Sequence, residues 1–249
     1  MTVSGTERGS FDFKSINAII FDYGGTLDTA GRHWSFVLRE GYEASGVFLN
    51  EEQWKDAYVF GERALAKNRI VMPQDNFRDV LLKKIDKEFV CLEENGHFNP
   101  EKQERSRLIG QIADYCYRYA LKHVDISREV LEILSKKYPL VLVSNFYGNI
   151  HAVLDDFRLN FFNDVIESSV VKVRKPDPEI FRLGLNALGT VAAETLVIGD
   201  SYSKDIIPAS AAGCPTVWIR GEGWGKAPDD TSIPKGIITD VRQLLPLMI

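Results

Sequence analysis

The chain has 249 residues, of which 45% are hydrophobic and 26% are charged, and it carries a formal net charge of −5. This acidic balance provides no general electrostatic attraction to nucleic acids or anionic membranes. The apolar runs are far too short to span a bilayer, and the N-terminal residues lack the apolar stretch of a signal peptide. Three widely spaced cysteines without a CxxC pair favour neither disulfides nor a zinc site. We therefore expect a cytoplasmic protein that binds neither nucleic acid nor membrane, with a monomer as the favoured state.

Short apolar runs that end in small or polar residues occur near both ends of the chain. Their continuous rather than alternating apolar character is typical of central strands in a parallel sheet covered on both faces. Helical patterns separate them, and this alternation predicts an α/β fold with a doubly wound, Rossmann-like parallel sheet. The strand-like runs cover 17–25, 139–146, 163–170, 194–201 and 215–223, and the helical patterns cover 127–138, 149–157, 178–189 and 205–213.

The segment between the first two strand-like runs contains helical patterns alone. We predict an all-helical cap domain over residues 32–123, inserted into an α/β core made of residues 1–31 and 124–249. Gly31 and the polar segment 122–126 are interpreted as hinges. The four amphipathic patterns of the cap cover 33–46, 50–68, 76–96 and 100–123.

Polar side chains follow the predicted strands at the points where these strands end. In an open parallel sheet, ligands bind beyond the carboxyl ends of the strands, so these groups are expected to converge. Each one alone is explained as well by an ordinary turn or capping residue, and their ordered recurrence is what indicates a site. The groups are Asp22, Ser144, Asn145, Lys175, Asp200 and Asp205.

These groups and their spacing resemble the motifs of the haloacid dehalogenase superfamily of hydrolases over nearly the whole chain. The helical insertion after the first motif resembles the type-1 cap of that family. The matching positions are DxDxT at Asp22 to Thr26, a serine after a strand at Ser144, a lysine before proline at Lys175-Pro176, and GDxxxxD from Gly199-Asp200 to Asp205.

The resemblance implies a Mg²⁺ site built from oxygen ligands. Its ligands would be the carboxylates of Asp22 and Asp200 and the main-chain carbonyl of Gly24, with Asp205 binding the metal or orienting its waters. Asp22 would be the nucleophile and would form an aspartyl-enzyme intermediate that water cleaves.

The resemblance also implies how a phosphoryl group is held. Lys175 would offset the negative charge of the nucleophile and of the phosphoryl oxygens. The remaining oxygens would be bound by Ser144, Asn145 and the backbone N–H groups that follow the nucleophile, at Gly25 and Thr26. The partner is then a small phosphorylated or otherwise anionic substrate.

Gly24 departs from the family pattern, because family phosphatases usually carry a second aspartate at this position. That aspartate protonates the leaving alcohol, and a positioned general acid is worth ~10²–10⁴-fold in rate. Poor leaving groups such as alkyl alcohols should therefore suffer most, and acyl or aryl phosphates less. Asp28 and His33 are two candidates for a replacement acid, although a turn residue and a packing residue explain them as well.

Three functions remain open from the sequence. The first is a small-molecule phosphatase that is slow or selective. The second is a phosphonate (C–P) or C–halogen hydrolase on the same scaffold; the phosphonate reaction needs a cap lysine, for which Lys55 and Lys67 are candidates. The third is a protein that binds a phosphorylated ligand without turnover, and the retained nucleophile, lysine and acidic pair argue against it.

Overall fold

The computed structural model describes residues 11–225, 228 and 230–249, and its centre is a six-stranded sheet in the order β3-β2-β1-β4-β5-β6. All five strand pairings are parallel, which confirms the predicted doubly wound α/β core. The strands are β1 Ala18–Phe21, β2 Leu140–Ser144, β3 Asp164–Glu167, β4 Thr195–Gly199, β5 Thr216–Ile219 and β6 Gly236–Ile238.

Strand β1 lies at the middle of the sheet, and successive side chains of it face opposite layers. Ile19 and Phe21 belong to the larger core cluster, which extends into the helical insertion, and Ile20 belongs to the cluster on the other face. Phe21 pairs with Leu142 of β2 and with Ile198 of β4, so the carboxyl ends of these three strands lie side by side. From β1 the chain continues to β2 and β3 on one side of it and then crosses to β4 on its other side. This reversal of strand order is the topological switch point, where ligands bind in such folds.

Helices α1 to α3 of the insertion form where the amphipathic patterns predict them. Asn50 and Asn76 each accept a hydrogen bond from the backbone three residues later and form capping boxes at the starts of α2 and α3. Gly46 and Gly96 follow the ends of α1 and α3 with positive φ angles, a conformation that favours glycine. The bounds are α1 Trp34–Ala44, α2 Glu51–Lys67 and α3 Phe77–Glu94.

Helix α4, Lys102–Leu134, joins two helices that the sequence analysis separates. The predicted hinge at 122–126 is wrong at the level of secondary structure, because the helix continues through it. This segment contains neither glycine nor proline, and the buried face continues from Ala120 through Val124 to Ser127. The predicted limits of the cap, 32–123, remain a prediction.

The remaining elements cover the sheet and complete its edge. A π-helical turn, Tyr202–Ile206, precedes α8, so the predicted helix 205–213 begins differently from its pattern. Strand β6 was missed, because its three residues are too few to form a recognisable apolar run. None of the helices in the described part of the chain is long and apolar enough to cross a membrane. The other α-helices are α5 Ile150–Asp156, α6 Ser168–Val171, α7 Glu179–Leu188, α8 Ile207–Ala211 and α9 Leu245–Met248.

Candidate active site

Three carboxylates converge beyond the carboxyl ends of β1 and β4. Asp22 directly follows β1, Asp200 directly follows β4, and Asp205 lies in the π-helical turn after it. One oxygen from each of the three lies within 4.8 Å of the others. Oxygen ligands at this spacing suit a hard divalent cation such as Mg²⁺. The sequence prediction that these aspartates meet is therefore matched by the geometry.

Lys175 lies buried between two of these carboxylates. Its Nζ donates to Asp22 Oδ1 at 2.5 Å and to Asp205 Oδ1 at 2.7 Å. Burial by itself would lower the pKa of Lys175, but the charges of Asp205 and Asp22 outweigh it and raise this pKa above its usual value. The ammonium group is therefore a fixed positive charge beside the nucleophile position.

The cluster has more negative groups than Lys175 can offset. Burial, and then the charges of Asp205 and Asp22, raise the pKa of Asp200 well above its ordinary value. Burial raises the pKa of Asp205 to about 6, against the lowering effect of Lys175. A bound dication would remove this imbalance, so the residues present fit the implied metal.

Two glycines allow the carboxylates to approach so closely. A Cβ atom at Gly25 would overlap the carboxylate of Asp200, and one at Gly199 would overlap the side chain of Asp205. The hydroxyl of Thr26 bridges the cluster, because it donates to Asp22 Oδ2 at 3.3 Å or to Asp200 Oδ1 at 3.1 Å. The glycines of the first and fourth motifs therefore have a steric reason.

The position of Gly24 is open. A Cβ atom there would meet no atom within 4 Å, and its φ angle is not in the left-handed region. Gly24 also lines the cavity that contains the cluster. A Cβ atom at this position is therefore tolerated, and the backbone does not require glycine at residue 24.

Three predicted phosphate-binding groups have other partners in the structure, and the amide of Thr26 donates to the carbonyl of Tyr23 at 3.2 Å. The amide of Gly25 donates to Asp28 Oδ1 at 2.7 Å. The side chain of Asn145 donates to the carbonyl of Lys175 at 3.1 Å and accepts from its amide at 2.9 Å. Asn145 thus holds the backbone that carries the lysine. Ser144 ends β2 and is 2% exposed, and the described lining of the cavity does not include it.

The pKa values of the two candidates for a replacement acid shift in opposite directions, and burial raises that of Asp28 to about 7. Both oxygens of the fully buried Asp28 accept N–H groups, from Gly25 and, at 2.9 Å, from the indole of Trp34. Burial, followed by the charges of Lys84 and Lys204, lowers the pKa of His33 to about 4. His33 is therefore uncharged near neutrality, and a neutral imidazole is too weak an acid to protonate a leaving group.

A cavity of about 670 Å³ lies over the cluster and is lined by both the core and the helical insertion. On the insertion side it includes Lys84, which the sequence analysis missed, whereas Lys55 and Lys67 are exposed and lie outside the lining. The available signal in the sequence was a lysine that falls on the apolar face of the α3 pattern, one turn after Val80 and Leu81. The other insertion and loop residues of this lining include His33, Tyr58, Glu62 and Trp224.

Fold and cluster together describe an α/β enzyme core with a candidate cation site at the topological switch point of its sheet. Residues 16–213 match the family model described as a haloacid dehalogenase-like hydrolase. The chain belongs to this family of hydrolases, as the motifs indicated.

Relatives and solved structures agree with this assignment. The chain is 30% identical over 254 residues to a phosphoglycolate phosphatase of Shigella boydii, covering 95% of the chain and 94% of the relative. It is 36% identical over 88 residues to a glyceraldehyde 3-phosphate phosphatase of Methanocaldococcus jannaschii, which is 35% of the chain and 38% of that relative's length. The fold resembles the HAD-hydrolase YfnB from Bacillus subtilis bound to magnesium, with a TM-score of 0.58, 20% identity, and coverage of 94% of the chain and 98% of that protein.

Proposed function

We propose that the protein is a Mg²⁺-dependent phosphatase of small phosphorylated molecules that works through an aspartyl-phosphate intermediate. The observation that carries the proposal is the group formed by the buried Asp22, Lys175 and Asp205 with the partly buried Asp200, in which the lysine Nζ lies 2.5 Å from an oxygen of Asp22. The names of the phosphoglycolate and glyceraldehyde 3-phosphate phosphatase relatives support a small phosphorylated substrate.

Each residue has a role that follows from its position. Asp22 attacks phosphorus with one carboxylate oxygen, and the bond between phosphorus and the leaving oxygen breaks. Lys175 provides positive charge beside the transferred group, and Asn145 keeps the lysine backbone in place. A Mg²⁺ ion held by Asp22, Asp200, Asp205 and the carbonyl of Gly24 would supply further positive charge at the phosphoryl oxygens. Water then cleaves the aspartyl-phosphate.

Gly24 makes the enzyme selective for its leaving group. The contacts of the two sequence candidates argue against a replacement acid, because both oxygens of Asp28 accept N–H groups and burial keeps His33 uncharged near neutrality. Acyl and aryl phosphates, whose leaving groups need little protonation, should therefore lose less rate from the missing acid. Alkyl phosphates lose the ~10²–10⁴-fold that a general acid supplies.

The helical insertion contributes the second wall of the cavity. We infer that residues 32–123 act as a cap that excludes water from the reacting phosphoryl group. Its aromatic side chains Tyr58 and Trp34 line the cavity on this side, together with Trp224 from a loop of the core.

The test is phosphate release from acetyl phosphate and p-nitrophenyl phosphate with and without Mg²⁺. Release should require the metal, and Asp22→Asn should abolish it while leaving the thermal unfolding transition intact. Mass spectrometry after a rapid acid quench should find one phosphoryl group on the wild-type chain and none on Asp22→Asn. Metal-independent release, or release by Asp22→Asn, would refute the proposal. Ligand binding without any release would favour the non-catalytic alternative.

One observation supports a second candidate, a phosphonate hydrolase. Lys84 lines the same cavity as the cluster, and the phosphonate reaction needs a lysine that forms a Schiff base with an aldehyde substrate. Against it, the ammonium group of Lys84 already pairs with Glu62. Trapping with borohydride in the presence of phosphonoacetaldehyde decides between the two, since a covalent adduct on Lys84 supports this candidate and an unmodified chain excludes it.

A further inference from the structure

A second polar cluster faces the cavity from the helical insertion, and the proposed chemistry leaves it unused. Lys84 of α3 pairs with Glu62 of α2, and its Nζ lies 4.2 Å from the ring centroid of Tyr58. The side chain of Lys84 is 7% exposed, and that of Glu62 is 38% exposed. The attraction within this partly exposed pair is screened by solvent on the Glu62 side and is opposed by the desolvation of Lys84, so stability alone does not explain the pair.

The anionic partners of Lys84 are already satisfied. Glu62 accepts from Lys84 with Oε1 and from the hydroxyl of Tyr147, at 3.0 Å, with Oε2. Behind the pair, burial raises the pKa of Glu88 to about 8, so Glu88 is largely uncharged near neutral pH. The cluster therefore has one carboxylate charge, and Lys84 balances it.

Two side chains of the cluster still have N–H groups that can donate to a ligand. An ammonium group has three N–H donors, and Glu62 takes one of those on Lys84. The Nδ1 atom of His33 accepts from the amide of Ser35 at 3.2 Å, which assigns the single hydrogen of the neutral ring to Nε2. Within the part of the chain that the structure describes, Nε2 of His33 has no hydrogen-bond partner. Both donors belong to residues that line the cavity.

The side chains that line the cavity outside the Asp22 cluster carry a net positive charge. The described lining residues there include two acidic side chains, Glu62 and the fully engaged Asp28. They are outnumbered by four cationic side chains. Three of these, Arg174, Lys204 and Arg220, are exposed and have no carboxylate ion pair among the described residues. The cationic residues are Lys84, Arg174, Lys204 and Arg220.

We propose that Lys84 and His33 form a subsite for a carboxylate on the substrate, at the end opposite the phosphoryl group. The inference rests on the proposed phosphatase function and deepens it, because the substrate class becomes phosphorylated small carboxylic acids. The Lys84 ammonium and the His33 Nε2–H bind the carboxylate oxygens, while Lys175 and the metal hold the phosphoryl end. Lys84 and His33 determine specificity and take no part in the bond-breaking step.

The test compares 2-phosphoglycolate with ethyl phosphate, which has a methyl group in place of the carboxylate. The measured quantity is the ratio of kcat/KM for the two substrates, in the presence of Mg²⁺. Lys84→Met removes a hydrogen bond to a charged group, so we expect it to lower this ratio by about 10- to 100-fold, mainly through KM. Lys84→Arg should retain part of the preference. His33→Asn should lower the ratio too, and asparagine is a good helix N-cap, so the start of α1 is preserved.

Lys87→Met is the matched control. Lys87 lies on the same helix, one turn further on, pairs with Asp86 at 3.1 Å and lies outside the cavity lining. This variant loses the same charge from α3 and should leave the substrate ratio at its wild-type value.

The outcomes separate the inference from the proposed function. If the enzyme releases phosphate but Lys84→Met keeps the wild-type ratio, the subsite is refuted and the phosphatase remains. If neither substrate nor acetyl phosphate is turned over, the proposed function fails. Calorimetric titration of 2-phosphoglycolate into wild type and Lys84→Met then tests the subsite alone: weaker binding by the variant supports it, and equal affinity overturns it.

Discussion

The indole of Trp34, at the start of α1, donates a hydrogen bond to Asp28 Oδ2 at 2.9 Å. The other oxygen of Asp28 accepts the amide of Gly25, three residues after the nucleophile position. Asp28 thus connects the first helix of the insertion to the loop that carries Asp22. A residue considered as an acid in the sequence has a positioning role in the structure.

Removing the indole N–H should therefore destabilise the protein. Trp34→Phe leaves one oxygen of a fully buried carboxyl group without its donor, which costs ~1–3 kcal/mol in the free energy of unfolding. Urea denaturation measures the loss. The control is the same substitution in an Asp28→Asn background, where a double-mutant cycle should show coupling between the two positions. Strictly additive effects would contradict the predicted role of this contact.

Gly24→Asp should restore the missing general acid. The substituted side chain meets no atom within 4 Å at its Cβ, so the variant should fold normally. We expect kcat for alkyl phosphates to rise by ~10²-fold or more, and that for acetyl phosphate to change far less. The comparison of the two substrates under saturating Mg²⁺ measures this. An equal rise, or no rise, for both leaving groups would show that protonation of the leaving group is not what limits the enzyme.

Mg²⁺ should stabilise the folded chain through the acidic cluster. A ligand at 100 times its Kd contributes ~2.7 kcal/mol to the free energy of unfolding, so Tm should rise with metal concentration. Asp200→Asn removes one of the three converging carboxylates and should abolish most of the rise. Asp164→Asn is the control, because Asp164 is an exposed residue at the start of β3 and should leave the metal response unchanged. A full metal response in Asp200→Asn would place the ion elsewhere.

Glu88 should make stability decrease as pH rises above the pKa that this residue has in the unfolded chain. Burial raises the pKa of Glu88 from 4.5 to about 8, opposed by Lys84 of its own helix and reinforced by Glu62 of α2, while Tyr42 of α1 donates to it at 2.8 Å. Between these two pKa values the folded state binds the proton that the unfolded state has lost, so stability falls with increasing pH. Across this window the free energy of unfolding should fall by up to about 1.4 kcal/mol for each pH unit.

The pH slope of unfolding measures this effect. Glu88→Gln cannot titrate, and its free energy of unfolding should vary less with pH between 4.5 and 8 than that of wild type. Glu94→Gln, at an exposed position on the same helix, should keep the wild-type slope. Identical slopes for wild type and Glu88→Gln would show that Glu88 does not bind the extra proton in the folded state.

Much of the core was predictable because its signals are local. The apolar runs that became β1, β2, β4 and β5 are buried along their whole length, which is why they contain no alternation. Parallel pairing then brings the residues after these strands to one edge, and this is sufficient to predict that Asp22 and Asp200 meet. The predicted helix break at 122–126 failed for the same reason, since a polar surface stretch within a helix resembles a connection when only its composition is considered.

Apolar runs and the spacing of a few polar residues were sufficient to predict β1 to β5, the ordered motifs and the family, because that information is local to the chain. Tertiary structure alone decided which side chains already have partners. It assigned Asn145 to the backbone of Lys175, Asp28 to Trp34, and Lys84 to the cavity. The hydrogen bonds among these contacts join residues 6 and 30 positions apart, and no local pattern encodes whether a donor finds an acceptor across such a separation.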